Sequence, residues 1–194
     1  MSTSALAETL PDSTANTHGL IGLADSIFDR VSPYEGDGLR NHCRRLYHLA
    51  TMLMEREGVE LDRNVAYLVA MLHDLGLVAE DVDGKTYLHR SYALFEKVTD
   101  GYDLAGTKSD VLRECLLFNH RLLPVRGVSA QANCFRRAVQ IEHTRGVARF
   151  GLDKGAVGEV FAAYPRDNFD RVLVDFTWRV VKREPWTLVK GIFF

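Results

Sequence analysis

The chain has 194 residues, 46% of them hydrophobic and 26% charged, with a formal net charge of -2. That length suits one domain with a sizeable core. The even charge balance leaves no electrostatic footprint for nucleic acid and no basic tract for an anionic membrane. A small-molecule substrate, which includes a nucleotide, is the expected partner.

The first stretch, MSTSALAETLPDSTANTHG, is rich in Ser, Thr and Ala. It lacks the basic and apolar regions of a signal peptide and reads as a disordered leader over 1–18, ahead of a domain over 19–194. From there the apolar period is close to 3.6, which predicts helices over 20–31, 38–57, 62–76, 88–100, 108–121, 129–147, 153–163 and 168–184. Asp62 is the expected cap of the third helix, Gly76 follows its last turn, and Thr107 or Ser109 is expected to cap the fifth. The acidic LVAEDVDGKTY and the Pro- and Gly-broken LLPVRGVS are surface loops. The tail REPWTLVKGIFF ends in apolar residues expected to pack on the bundle, and GIFF offers a surface for a homodimer. The fold class is all-α, a single-domain bundle of about 7–8 helices. No run approaches the roughly eighteen apolar residues of a spanning helix. The three cysteines, Cys43, Cys115 and Cys134, lie in apolar runs without a CxxC pair. They read as buried thiols of a cytoplasmic protein.

Seven histidines are placed along these helices. His42 shares a face with Leu46, Leu49 and Leu53, so it points into the core. His73 lies four residues past Val69 on the buried stripe of the third helix, with Asp74 beside it. Leu112, Leu116 and His120 align at i, i+4, i+8. Phe135, Ala138 and Glu142 make a similar inward line, and His89 begins the fourth helix. Imidazoles and carboxylates converging from separate helices suit a first-row transition metal. His18, His48 and His143 read as ordinary structural residues, His48 on the rim beside Arg44, Arg45 and Met52.

A His early in one helix, an apolar run closing in LHDLG, then later histidines and an acid together resemble the HD-domain metalloprotein superfamily. NHCRRLYHLA, CFRRAVQIEHTRGVARFGL and YPRDNF resemble its cyanamide-hydratase-like branch in particular. The likeness runs over roughly residues 35–185. It implies an HD-type bundle in which His42, His73 and Asp74 bind a divalent ion, with Glu142 as a fourth ligand. His89 and His120 would orient or deprotonate a water, or hold a second ion, so Asp74, His89 and His120 are the candidate catalytic residues. The ion would be Fe, Zn, Mn or Ni, one or two per chain. One position departs from the pattern: where the family carries an Asp after Ala on the sixth helix, this chain has Val139, and Glu142 or His143 stands as its substitute. Arg90, Arg121 and Arg126 lie beside the site histidines, where they would meet a phosphate or serve as surface charge.

Three function classes follow. The first is a metal-dependent hydrolase or hydratase acting on a phosphoester, nitrile or amide-like group. The second is a mixed-valent diiron oxygenase with Asp74 bridging. The third is a degenerate binding module silenced by Val139.

Overall fold

Side-chain chemistry at the helix ends explains where most of the elements begin. The computed structural model describes residues 19–187; the expected leader and the GIFF terminus lie outside that range. Eight α-helices are complete within it: α1 Leu20–Val31, α2 Gly38–Glu57, α3 Arg63–Leu72, α4 Tyr87–Thr99, α5 Ser109–Phe118, α6 Ala130–His143, α7 Lys154–Ala163 and α8 Phe169–Arg183. The architecture is all-α, as the period predicts, with no strand among the described residues. Asp62 caps α3 by accepting from the Asn64 and Val65 amides at 2.9 and 3.1 Å. Thr86, Ser129 and Asp153 cap α4, α6 and α7 in the same way. At α5 the expectation differs: Lys108 holds the cap position without a side-chain bond, and Ser109 is already the first helical residue.

α2 is the axis of the bundle. α3, α6, α7 and α8 all pack on it, so it is covered on several sides at once. Its leucines Leu46, Leu49 and Leu53 are fully buried, and so is Arg45. His48, expected at the rim, is buried too. Its Nε2 lies 3.1 Å from the Tyr164 hydroxyl and the two rings stack, because the segment after α7 closes over the face that periodicity assigns to solvent. Burial, with Arg44 and Arg63 adding to it, pushes its pKa down to about 4. The three cysteines are free and buried, as expected of small hydrophobes. No helix among the described residues is long and apolar enough to cross a membrane.

The third predicted helix ends four residues early. α3 stops at Leu72, His73 and Asp74 occupy the break, and a 3-10 turn follows over Leu75–Leu77. Gly76 allows that turn to sit directly on α4: a Cβ there would meet the Tyr87 carbonyl and the Ser91 amide at 2.2 Å. The Gly76 amide donates to Ser91 Oγ at 3.0 Å, and Arg90 Nε donates to the Gly76 carbonyl at 2.8 Å. The His-Asp pair is thus clamped from both sides.

Two glycine substitutions separate this packing role from simple flexibility. Gly76→Ala should cost about 3 kcal/mol in chemical denaturation through overpacking against backbone. Gly22→Ala, at an α1 position with open space around it, should raise stability by about 0.5–1 kcal/mol.

Candidate metal centre

α2 and the break after α3 bring three side chains to one point. His42 Nε2 and His73 Nε2 face each other at 3.2 Å. Asp74 Oδ2 lies 3.1 Å from His73 Nε2 and 3.5 Å from His42 Nε2. His42 and His73 are fully buried, and Phe169 stacks flat on His42 with centroids 4.2 Å apart.

The partners on the far sides of the rings assign the protons. His73 Nδ1 is 2.7 Å from the Ala70 carbonyl, which can only accept, so the ring carries its hydrogen there. His42 Nδ1 faces Glu142 Oε2 at 3.1 Å, off the line of a good hydrogen bond but on the side that holds a proton. Both Nε2 lone pairs therefore point inward at each other and at a carboxylate. Such an arrangement suits a cation at its centre. Donors about 2.0–2.1 Å from a tetrahedral ion stand about 3.3 Å apart, which is the spacing found here. The residues fit a divalent first-row metal.

Glu142 does not join this set. Its Oε1 accepts from Arg45 Nε and Nη2 at 3.1 and 2.6 Å and from Arg166 Nη1 at 2.7 Å. Glu142, expected as a fourth ligand, stands behind His42 and groups with His42 and His143 instead. Its longer reach is taken up by two guanidiniums, and it meets His42 on the nitrogen turned away from His73. Burial raises its pKa, but His42 and Arg45 outweigh that and hold it well below the carboxylate range. His42, Glu142 and His143 form a second grouping of possible ligands. There the His143 Nε2 lies 4.0 Å from Glu142 Oε2, an oxygen without a hydrogen-bond partner, while both arginines sit on Oε1. The His42–His73–Asp74 group is the tighter of the two.

The other sequence candidates divide. His120 reaches the centre, with Nε2 3.1 Å from Asp74 Oδ1, so the two Asp74 oxygens serve different histidines. His89 does not. Tyr87 and Ser91 turn one face of α4 to the Gly76 turn, and His89, two residues past Tyr87, faces away. Its Nδ1 lies 2.8 Å from Thr86 Oγ1 in a neighbouring cleft, and burial with Arg113 and Lys85 lowers its pKa. Val139 is buried and offers no ligand. Periodicity passed over His143, one turn beyond Val139, whose ring stands 5.5 Å from His120 and 6.0 Å from His42. Its side chain is 34% exposed yet its pKa is pushed down to about 3, first by burial and then by His120 and His42. The two agree if the exposed part of the ring looks into a cavity rather than open solvent.

That cavity, of about 210 Å³, has Asp74, His120 and His143 on its wall and Tyr87, Phe176 and Val180 among its apolar residues. Among the described residues no Lys or Arg lines it. Arg90 is engaged with Glu184, Arg121 lines the neighbouring cleft and Arg126 is exposed on the loop.

Residues 39–120 match the family model described as HD domain. No curated protein matches the chain. The matched stretch begins just before His42, contains His73 and Asp74 and ends on His120, so it holds the three converging donors; Glu142 and His143 lie beyond it. An HD domain suggests a metal-dependent hydrolase, and the HD superfamily is supported for this stretch.

In the metal-free protein a proton supplies the missing cation. Burial disfavours a charged His73, but Asp74 overrides this and raises its pKa well above 6.5. A raised folded pKa contributes stability that is complete below the unfolded value and is lost as pH rises through the folded one. Metal-free protein should therefore lose thermal stability above neutral pH while metal-loaded protein keeps it, so the difference in Tm should widen from pH 6 to pH 8. The Asp74 carboxyl is displaced the other way: burial raises its pKa, but His73 and His120 take it well below 3.8. Its contribution is present above the unfolded value and is lost as pH falls through the folded one. Glu142→Gln should weaken metal affinity by about 10–100-fold, read by competition with a chromogenic chelator.

Proposed function

We propose that the protein is a metal-dependent hydrolase or hydratase of a small, uncharged molecule with a nitrile or amide-like group. The observation that carries this is the pair of imidazole Nε2 atoms facing each other across 3.2 Å beside Asp74. His42, His73 and Asp74 would hold the ion. Bound there, a divalent ion supplies a water whose pKa falls toward neutrality. The chain does the rest. His120, anchored on Asp74 Oδ1, stands on the cavity wall where it can pass a proton between that water and the substrate. His143 borders the same space. The apolar walls exclude bulk solvent and strengthen each polar contact inside.

The choice of substrate class rests on the cavity lining. A phosphoester would place negative charge where the wall, among the described residues, offers no guanidinium or ammonium group. A neutral nitrile or amide suits that wall, in keeping with the resemblance to the cyanamide-hydratase-like branch. The diiron reading draws on His89 as a ligand, and that histidine lies in the neighbouring cleft. The binding-module reading rests on Val139 alone.

Metal content of anaerobically purified protein, by mass spectrometry, tests the assignment. About one ion per chain, lost in His73→Ala or Asp74→Ala, is expected. Two irons with oxygen uptake would replace the hydrolase by the oxygenase, and no metal after reconstitution would leave the degenerate module. His48→Ala should keep the ion but lose about 1–3 kcal/mol of stability, since its ring is buried against Tyr164.

A further inference from the structure

A second cleft, of about 540 Å³, opens beside the reaction cavity and shares Leu88 and Thr187 with it as lining residues. It lies between the start of α4, the outer side of α5 and the segment after α8. Its lining is unlike that of its neighbour. Lys85, Arg113, Arg121 and Arg183 face it, against a single acid, Glu184. Glu184 is itself committed: it pairs with Arg90 and accepts from the Tyr87 amide at 2.9 Å and the Thr187 hydroxyl at 2.9 Å. Lys85, Arg113 and Arg183 make no ion pair among the described residues. A chain of net charge -2 thus gathers an uncompensated positive charge at one concave place. His89 adds a fifth nitrogen-bearing side chain, and Trp186, 72% exposed, stands at the edge.

Like charges held around one concavity repel each other unless an anion is present. We propose that this cleft is a binding site for a small anionic group, a phosphate or a carboxylate, held by Lys85, Arg113 and Arg183. The shared Leu88 and Thr187 give the site its use. A ligand long enough to reach past them would present an uncharged end to Asp74 and His120 and an anionic end to the arginines. That extended form rests on the hydrolase reading; anion binding in the cleft does not.

Inorganic phosphate is the probe, and fluorescence of Trp186 in a Trp178→Phe background is the readout, with calorimetry alongside. Saturable binding is expected, unchanged by chelator treatment and weakened about tenfold by Arg113→Gln or Arg183→Gln, the usual scale of a charge-assisted contact. Lys97→Gln, in a different cleft, should leave it unchanged. Competition by malonate tells a carboxylate site from one selective for phosphate. No saturation at millimolar phosphate would overturn the proposal. So would binding that disappears with the metal and ignores Arg113→Gln, since the anion would then sit on the ion and the hydrolase reading would stand. Phosphate binding that persists in a chain holding no metal would separate the two the other way.

Discussion

Two buried imidazoles stand with their Nε2 atoms 3.2 Å apart beside a carboxylate, an arrangement that a positive charge between them would stabilise. The rest of the fold makes sense as the means of holding them there. The Ala70 carbonyl holds one ring from behind, and Glu142 stands behind the other. A site in which the ligand geometry is set before the ion arrives loses little entropy on binding it.

That constraint explains the most costly feature of the interior. Arg45 and Glu142 are both fully buried, and burying an ion pair often gains nothing over a well-packed apolar pair. Here the acid is shared among Arg45, Arg166 and the His42 ring, and Arg45 also donates to the Tyr164 carbonyl at 2.7 Å. The network ties α2, α6 and the segment between α7 and α8 into one frame around His42. It holds the His42 ring against Glu142 and the two guanidiniums. The Gly76 turn does the same for His73 and Asp74 from the side of α4.

Two adjoining spaces of opposite character result from this frame. One is small and apolar, with its polar groups on a single wall; the other is wider and cationic. They share Leu88 and Thr187 as lining residues, at the start of α4 and in the segment after α8. Turning His89 out of the first and into the second is a direct consequence of the close α4–Gly76 contact.

Much of this was legible in the residue order. The 3.6 period located the eight helices, Asp62 marked a start, and LHDLG with His42 upstream pointed to imidazole and carboxylate donors in a buried place. A period reports one face of a helix against one partner, however. It misplaced His48, because α2 is covered on more sides than one, and it could not say which way His89 turns at the first turn of α4. It aimed Glu142 inward without showing that two guanidiniums and the outer nitrogen of His42 were waiting for it, and it left the choice between Glu142 and His143 open at Val139. The sequence by itself determined the helices and the kinds of donor they carry, since those follow from local spacing. Only the tertiary structure decided which donors share a centre and which stand behind it, because that depends on contacts between segments far apart in the chain, such as Arg45 with Glu142 and His42 with Phe169.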